Sequence, residues 1–351
     1  MSEVPAGEES VHPVGISCVM PVLNDVSHVR AAVESILAQD YSGPLEAIIA
    51  LGPSIDGTEE LVHDLAQRDN RISVLANDKG STPAGLNVGI RAAKYPVIIR
   101  VDAHSILPTN YARTAVEILT RTGADNVGGI MDAQGIAPFS RAVALAYRTR
   151  VGLGGSTFHL GGKAGPAETV YLGCFQRSSL ERVGLFDESI KRGQDWELNR
   201  RIRESGGTVW FTPELAVLYR PRNSLRQLAR QMFATGLWRG ELARRFPSAN
   251  GVRYFVPPLT VLGFTIGLLL GLAGLVELLT PTPAWLLLGF ATPVVYLLFV
   301  LGATVFHLRR CGPRAALRLP LVLTCIHVCW GTGFLFGYLS LMQNIARHNG
   351  R

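Results

Sequence analysis

Cysteine is scarce in this chain, and its five residues lack the paired spacing of a zinc site. Cys325 and Cys329 would share one face of an apolar helix, where thiols usually pack as small hydrophobic groups. The chain therefore needs neither a structural zinc ion nor an oxidising compartment. The five residues are Cys18, Cys174, Cys311, Cys325 and Cys329.

The glycine-rich stretch of residues 152–165 lacks the features of two common phosphate-binding loops. It has neither the Lys-Ser/Thr ending of a P-loop nor the glycine spacing of a dinucleotide turn. Two interpretations stay open. The stretch is either a mobile loop near an acceptor, in which His159 and Lys163 meet anionic groups, or a plain flexible linker.

The first residues also lack the apolar core that a secretory signal peptide requires. Residues 1–13 are acidic and polar, and we interpret them as a disordered tail. This composition agrees with a large N-terminal domain that faces the cytoplasm.

Long apolar runs are absent from residues 1–250 and concentrated near the C-terminus, which accounts for the hydrophobic content of 48%. Each run can cross a hydrocarbon core about 30 Å thick at about 1.5 Å per residue. We predict a membrane region over residues 255–343. Its three transmembrane helices would cover residues 255–279, 284–306 and 319–342.

The arginines beside these runs predict the orientation in the membrane. They precede the first run and follow the second, whereas the hairpin at residues 280–284 has no positive charge. The N-terminal domain is therefore expected on the cytoplasmic side of the cell inner membrane. Three crossings would place the tail of residues 344–351, with its positive residues Arg347 and Arg351, outside the cytoplasm, which conflicts with the arginine distribution. The third run therefore either crosses the membrane and exports a short tail, or re-enters on the cytoplasmic side. Its length favours crossing.

The formal net charge of +7 does not indicate a nucleic-acid partner. The arginines cluster around the membrane runs, where anionic lipid is the simpler partner. Residues 223–254 have a basic face opposite an apolar face and are predicted to form amphipathic helices at the membrane surface.

The first 220 residues alternate short apolar runs with amphipathic helical patterns. This alternation predicts an α/β fold with a mostly parallel sheet, whose ligands bind outside the carboxyl ends of the strands. Polar residues follow four predicted strands there: Asn24 and Asp25, then Asp56, then Lys79, and then Asp102 with His104. A carboxylate and an imidazole two positions apart suit a divalent cation. The alternative is that Asp102 forms a turn or caps a helix.

Eight motifs in succession make residues 14–245 resemble the family 2 glycosyltransferases, and within them the membrane-anchored, ExoA-like succinoglycan-biosynthesis group. In chain order the motifs are Val19-Met-Pro-Val-Leu-Asn-Asp25, Ser54-Ile-Asp-Gly-Thr58, Gly85-Leu-Asn-Val-Gly-Ile90, Arg100-Val-Asp-Ala-His104, Tyr171-Leu-Gly-Cys-Phe-Gln-Arg177, Val183-Gly-Leu-Phe-Asp-Glu188, Gln194-Asp-Trp-Glu-Leu-Asn199 and Gln231-Met-Phe-Ala-Thr-Gly-Leu-Trp-Arg239.

The resemblance implies a GT-A catalytic domain over residues 14–222 that binds a nucleotide-diphosphate sugar. Asp102 and His104 match the family's metal position, and either Mn²⁺ or Mg²⁺ would neutralise the diphosphate there. A UDP-sugar is the expected donor, but many members have an aspartate where this chain has Leu51, so the base stays open. The implied donor-binding residues are Pro21, Asn24, Asp25, Asp56, Lys79, Asn87 and Asp102.

Asp195 matches the family's catalytic base, which takes the proton of the acceptor hydroxyl in an inverting transfer. It could also serve as an anion in the first turn of a helix, and both roles can hold at once. Gln231 to Arg239 departs from the Gln-x-x-Arg-Trp signature of processive members, which weakens any claim of processive synthesis. The implied acceptor-binding residues are Gly173, Gln194, Trp196, Gln231, Trp238 and Arg239.

The sequence thus favours an inverting glycosyltransferase that acts on a lipid-linked, polyprenyl-diphosphate glycan in exopolysaccharide or cell-envelope synthesis, together with membrane lipids and glycan-assembly partners. The alternative is a non-catalytic membrane component that binds nucleotide sugars within an assembly complex. The presence of Asp102, His104 and Asp195 argues against that alternative.

Overall fold

The computed structural model describes residues 13–279 and 284–342. Three predicted features lie outside these residues or largely so: the N-terminal tail, most of the uncharged hairpin and the C-terminal tail.

Eight strands form one sheet in the order β3-β2-β1-β4-β7-β5-β8-β6. β1 pairs in parallel with β2 and β4, and β2 with β3, whereas β7 runs antiparallel to β4 and β5. The mostly parallel half is the one that the β/α alternation predicts. The strands are β1 Ile16–Val22, β2 Leu45–Leu51, β3 Ile72–Ala76, β4 Val97–Arg100, β5 Asn126–Ala133, β6 Gly165–Pro166, β7 Tyr171–Gln176 and β8 Val209–Tyr219.

Helices connect the strands and make up the C-terminal part of the described chain. Short 3₁₀ turns cover Pro247–Ala249, Val252–Phe255 and Trp285–Phe290. The α-helices are α1 Val29–Leu37, α2 Thr58–Arg68, α3 Thr82–Ala92, α4 Tyr111–Thr122, α5 Pro138–Tyr147, α6 Arg150–Leu153, α7 Thr157–Leu160, α8 Arg177–Val183, α9 Gln194–Glu204, α10 Leu225–Arg245, α11 Val256–Glu277, α12 Ala291–Cys311, α13 Pro313–Ala316 and α14 Leu319–Tyr338.

Contacts divide the chain into two compact units. The first unit comprises the described residues up to Gly129 together with Val170–Phe186 and Arg201–Leu215. The second comprises Ile130–Thr169, Asp187–Arg200 and the described residues from Ala216 onward. The domain limits at residues 222 and 254, which the sequence suggested, stay predictions.

The first unit is built on strands that are apolar along nearly their whole length. In β1 and β2 almost every residue is buried, as expected for central parallel strands covered by helices on both faces. Their carboxyl ends are therefore where polar side chains can emerge from the sheet. Asp102 lies in the segment after β4, and the next helix, α4, begins only at Tyr111 with Asn110 as its N-cap residue, so the helix-cap alternative for Asp102 is wrong.

In the second unit, α10 packs closely against α14 through glycines. A Cβ atom on Gly236 would lie 2.0 Å from the Trp330 carbonyl oxygen, and one on Gly337 would lie 2.0 Å from that of Leu237. The sequence predicted a helix on the membrane surface over this segment. The structure buries one long face of α10, including Leu228, Met232 and Leu237, with α14 as a packing partner, and the position at the membrane surface stays a prediction.

Three helical segments are long and apolar enough to cross a membrane: Val252–Glu277, Trp285–Arg310 and Pro313–Tyr338. They agree with the three predicted runs. In the third segment, 50% of the most apolar 18 residues are buried within the protein, whereas the share is 17% in each of the other two. The difference arises because α10 and α11 pack on the third segment.

The glycine-rich stretch is more ordered than the loop or linker that the sequence suggested. It contains α7, the end of α6 and the short strand β6. The Thr149 hydroxyl accepts a hydrogen bond of 3.2 Å from the Gly152 amide and so caps α6. The stretch thus contains short regular elements, and the choice between a loop near the acceptor and a linker stays open.

Candidate active site

A turn after β1 is held against the β2–α2 connection by backbone and side-chain hydrogen bonds. Asn24 has a positive φ of 49°, its amide donates to the Ser54 hydroxyl at 3.0 Å, and its side-chain oxygen accepts from the Ile55 amide at 2.9 Å. The left-handed conformation is one that Asn tolerates better than most residues. Asn24 therefore fixes the relative position of two predicted donor-binding segments.

Asp56 organises the start of α2. Its carboxylate accepts hydrogen bonds from the Thr58 hydroxyl at 2.5 Å, the Thr58 amide at 3.1 Å and the Val26 amide at 3.2 Å. The hydrogen bond from the Thr58 hydroxyl is the main reason that the pKa of Asp56 lies below its usual value. Asp56 thus stays charged and shapes the turn in which the sequence places the nucleoside.

Asp25 and His104 lie close together, although they are 79 positions apart in the sequence. His104 Nδ1 lies 3.7 Å from Asp25 Oδ2, and His28 Nδ1 lies 2.6 Å from Asp25 Oδ1. Burial alone raises the pKa of Asp25, but hydrogen bonds and attraction from His104 and His28 outweigh it and hold that pKa below its usual value. The carboxyl ends of β1 and β4 therefore present a carboxylate beside an imidazole.

The carboxylate of Asp102 is held by Arg100, the last residue of β4. Oδ1 of Asp102 accepts from Nη2 of Arg100 at 2.9 Å and from Nε at 3.2 Å. Arg100 is buried, so this pair is largely shielded from water. The arginine orients Asp102 and also offers positive charge next to the place predicted for a diphosphate.

The donor set at this edge fits a divalent cation that a diphosphate would complete. Within the described ranges, no three His, Cys, Asp or Glu side chains form a ready-made metal cluster. Two protein ligands are nonetheless enough for Mg²⁺ or Mn²⁺ when substrate phosphates supply further oxygens. The half-exposed imidazole of His104 and the orientated carboxylate of Asp102 are of the right chemical types.

Three other predicted donor-binding residues have different settings. Pro21 lies in β1, and Gly85 of α3 approaches it so closely that a Cβ there would lie 2.9 Å from the Pro21 Cβ. Lys79 is exposed in the β3–α3 turn. Asn87 is buried, and its side chain donates to the Phe186 carbonyl and accepts from the Phe186 amide, both at 2.9 Å. Asn87 therefore joins α3 to the segment after α8, and its contact with the donor stays a prediction.

In the second unit, α9 begins at the predicted catalytic motif. Gln194 is its buried first residue, and Asp195 is partly exposed in the first turn, where the helix dipole favours a negative charge. The proposed role of Asp195 as a helix N-terminal anion is consistent with this position. Its role as a base stays a prediction.

Arg239 lies between two aromatic rings in the second unit. Its guanidinium carbon is 4.0 Å from the ring centre of Trp196 and 3.6 Å from that of Tyr254. Its Nη2 donates to Asn250 at 2.6 Å, and burial is the main reason that its pKa is lowered. The sequence implied that Trp196 and Arg239 each bind the acceptor, but it did not predict that the two side chains stack on each other.

Glu168 contacts both aromatic residues that stack on Arg239, and the sequence did not indicate a role for it. Its carboxylate accepts from Trp196 Nε1 at 2.6 Å and from the Tyr254 hydroxyl at 3.2 Å, and it forms an ion pair with Arg253. No motif surrounds Glu168, so only its position before the Tyr171 motif could have drawn attention to it.

The remaining predicted acceptor residues are mostly packed inside their units. Trp238 is 2% exposed and lies in a cluster with Ile190, Trp196 and Leu242. Gly173 is buried in β7, and a Cβ there would lie 2.4 Å from the Asn126 side chain. Gln231 is partly exposed and donates to the Tyr219 hydroxyl at 3.0 Å. Acceptor contacts by these three residues stay predictions.

Comparison with known proteins identifies the family of this chain. Residues 17–184 match the model of the family described as "Glycosyl transferase family 2". The chain is 30% identical to the succinoglycan biosynthesis protein ExoA of Rhizobium meliloti (strain 1021), over 93% of this chain and 96% of that protein. It is 33% identical to the glycosyltransferase GlyG of Streptococcus pneumoniae serotype 4, over 32% of this chain and 38% of GlyG.

A solved structure shows the same fold. The mannosyltransferase PcManGT from Pyrobaculum calidifontis, in complex with GDP-Man and Mn²⁺, aligns with a TM-score of 0.58. The alignment covers 95% of this chain and 89% of PcManGT at 17% identity. The fold is therefore that of the GT-A glycosyltransferases, with three helices that could span a membrane. The chain belongs to glycosyltransferase family 2.

Proposed function

We propose that this protein is an inverting glycosyltransferase of the cell inner membrane, with its catalytic domain in the cytoplasm. It would transfer one sugar from a nucleotide-diphosphate sugar to a polyprenyl-diphosphate-linked glycan during exopolysaccharide or cell-envelope synthesis. The proposal rests on one observation: the side chains of Asp25 and His104 lie 3.7 Å apart at the carboxyl ends of β1 and β4, and Asp102 lies two residues before His104. These are the polar ends at which an α/β sheet binds its ligand.

The donor would bind through groups that the first unit already holds in place. Asn24 and Asp56 shape the turns for the nucleoside, and Arg100 and Lys79 add positive charge for the phosphates. A bound Mn²⁺ or Mg²⁺, held by Asp102 and His104, would supply charge neutralisation for the departing diphosphate. The Mn²⁺ in the PcManGT complex supports the use of a divalent metal.

Asp195 would take the proton from the acceptor hydroxyl as that oxygen attacks the anomeric carbon. The attack on the face opposite the diphosphate inverts the configuration at that carbon. Gln194 is neutral and would orient the acceptor without placing a second negative charge beside the base.

The lipid-linked acceptor is supported by two features. Three helices suit a membrane protein, and the relative ExoA is named for succinoglycan biosynthesis. The nucleobase stays open between uridine and other bases, because Leu51 replaces the aspartate that many members have and because PcManGT was solved with GDP-Man.

A donor screen tests the first half of this proposal. The purified full-length protein in detergent is incubated with a panel of nucleotide sugars and MnCl₂, and released nucleoside diphosphate is measured. We expect slow hydrolysis of one donor class, loss of that hydrolysis with EDTA, and a reduction of about tenfold or more in Asp102→Asn. Asp64→Asn, which removes an exposed carboxylate from α2, is the control and should keep the wild-type rate.

His104 gives a second test of the same site. His104→Asp replaces a borderline nitrogen ligand by a hard oxygen ligand, so the ratio of Mg²⁺-supported to Mn²⁺-supported hydrolysis should rise. An unchanged ratio would show that His104 does not contact the metal. Tight donor binding without turnover under any condition would instead favour a non-catalytic nucleotide-sugar-binding protein.

A further inference from the structure

A cavity of about 840 Å³ lies within the second unit, between the α5–α7 segment and α12. Neither the proposed donor residues nor Asp195 line it. The α5–α7 side carries two arginines, and the α12 side carries aromatic rings together with a third arginine. The residues that matter for its chemistry are Arg148, Arg150, Phe299, Phe306, His307 and Arg310.

The three arginines of the cavity are Arg148 and Arg150 on the α5–α7 side and Arg310 on α12, and the described carboxylates leave most of their charge unpaired. Arg148 and Arg150 are exposed, and the carboxylate nearest to Arg148 is that of Asp132 at 3.9 Å. In the part of the chain that the structure describes, Arg150 and Arg310 form no ion pair with a carboxylate. Three guanidinium groups around one cavity therefore favour an anionic ligand with several oxygen atoms.

The aromatic wall follows one face of a helix that is apolar enough to cross a membrane. Phe299, Ala303 and Phe306 are spaced four and three residues apart on α12, and His307 and Arg310 continue the same face to its end. The cavity thus runs from a charged end to a lipid-like apolar surface. A ligand that suits both ends has an anionic head and a hydrocarbon chain.

The α6 side of the cavity is fastened to the membrane helices. Nε2 of His327 on α14 donates to the Val151 carbonyl at 2.6 Å, and its Nδ1 lies 3.1 Å from the Tyr296 hydroxyl of α12. With Nε2 as the donor, Nδ1 accepts the hydrogen bond from Tyr296. This chain of hydrogen bonds fixes Val151, and with it the neighbouring Arg150, relative to α12.

We propose that this cavity binds the diphosphate and first prenyl units of the lipid-linked acceptor. The diphosphate contacts Arg148, Arg150 and Arg310, and the prenyl chain lies along Phe299 and Phe306 of α12. The diphosphate that joins a prenyl chain to a glycan is a diester with a negative charge on each phosphorus, so it carries more negative charge than the single phosphodiester of an ordinary phospholipid and suits three arginines better. This inference rests on the proposed function, because it names a subsite for the acceptor of that reaction.

Binding of a sugar-free probe tests the inference without catalysis. The full-length protein in detergent is titrated with geranylgeranyl diphosphate, and the dissociation constant is measured by calorimetry. The double variant Arg150→Gln/Arg310→Gln should bind at least about tenfold more weakly, since each lost charge-assisted hydrogen bond corresponds to about that factor. Arg309→Gln, which removes an adjacent arginine that does not line the cavity, should bind like the wild type.

A second variant tests the apolar half of the cavity. A Cβ atom on Gly302 of α12 meets nothing within 4 Å, so Gly302→Leu fits the fold and fills cavity space. It should weaken geranylgeranyl diphosphate binding while inorganic diphosphate binding is unchanged. Wild-type affinity in both this variant and the arginine variant overturns the inference.

Competitors distinguish the sources of the anionic group. Inorganic diphosphate and phosphatidylglycerol should displace the prenyl probe only at much higher concentrations. If phosphatidylglycerol displaced the probe at the same concentration as unlabelled geranylgeranyl diphosphate, the cavity would be a site for bulk lipid. If inorganic diphosphate did so, the prenyl chain would contribute nothing to binding. Either result overturns the proposal.

Activity measurements separate a failure of this inference from a failure of the proposed function. Donor hydrolysis without acceptor should be unchanged in the arginine variant, whereas its KM for the lipid acceptor should rise by about tenfold or more. Absence of hydrolysis and transfer in the wild type would contradict the proposed function, while the binding titration would still report on the cavity.

Discussion

Asp125 connects three segments of the first unit through one carboxylate. It accepts hydrogen bonds from the Ser179 hydroxyl at 2.6 Å, from Arg182 Nη2 at 2.5 Å and from the Thr208 amide at 2.6 Å. Burial raises its pKa, but these hydrogen bonds and the charge of Arg182 outweigh burial and hold the pKa below its usual value. The start of β5, an interior strand of the sheet, therefore depends on an ionised side chain.

The substitution Asp125→Asn should destabilise the protein by about 1.5–3 kcal/mol at neutral pH, because it removes hydrogen bonds to a charged group. A lowered folded-state pKa gives stability that is complete above the ordinary pKa of 3.8 and is lost as the pH falls through the folded value. The difference in melting temperature between variant and wild type should therefore shrink below about pH 4. A difference that stays constant down to pH 2 would contradict this account.

Asn87 gives a second prediction for a single residue. Asn87→Ala leaves both backbone polar groups of Phe186 without their partner, so we expect a loss of about 2–4 kcal/mol in unfolding free energy. A purely structural role leaves the KM for the donor unchanged, whereas the predicted contact with the donor raises it. Asn70→Ala, which removes an exposed side chain from the turn before β3, serves as the control. A stable variant with a raised donor KM would show instead that Asn87 contacts the donor.

Sequence reasoning placed the site residues on the correct strand ends because the polar residues follow apolar runs in a regular order. The pairing of Arg100 with Asp102 could also have been predicted, since side chains two positions apart on an extended chain share a face. The pairing of Asn87 with Phe186 could not, because 99 residues separate them. The burial of Trp238 likewise depends on contacts that no local pattern shows.

At the scale of the elements, paired glycines bring α10 and α14 into backbone contact. Gly236 and Gly240 are four residues apart on α10, and Gly333 and Gly337 have the same spacing on α14. A Cβ on any of the four would lie between 2.0 and 2.2 Å from a carbonyl oxygen of the other helix. Small residues at this spacing let helices approach closely in or near a membrane.

Gly240→Ala should destabilise the second unit by about 1–3 kcal/mol, because the added methyl group meets the rigid Phe334 backbone. Gly263→Ala is the matched control, since a Cβ there meets nothing within 4 Å inside α11. The control should be neutral or slightly stabilising, as expected for alanine in a helix. Thermal unfolding in detergent measures both, and equal melting temperatures would contradict the close packing.

The sequence predicted the alternation of strands and helices that the structure shows from β1 to β4. Strong apolar periodicity made this possible. The short helices α6 and α7 were missed, because glycine-rich segments have low helix propensity and depend on caps and packing. The burial of α10 was missed because its partner α14 begins more than 70 residues after α10 ends.

For the whole molecule, the distribution of arginine predicts the orientation in the membrane. Arg314 follows the second candidate span, whereas Ala284 precedes it. In a background without native cysteines, Arg314→Cys should react with an impermeant thiol reagent in inside-out vesicles, and Ala284→Cys should react in right-side-out vesicles. The reverse labelling pattern would place the catalytic domain outside the cytoplasm.

The central claim is that Asp195 removes a proton from the acceptor hydroxyl, and one comparison tests it directly. Transfer of labelled sugar to a polyprenyl-diphosphate glycan is measured for the wild type, Asp195→Asn and the control Asp64→Asn at equal protein concentrations. The account predicts that kcat falls by about 10²-fold or more in Asp195→Asn, with donor binding unchanged and the control at the wild-type rate. A wild-type rate of transfer in Asp195→Asn would contradict the account.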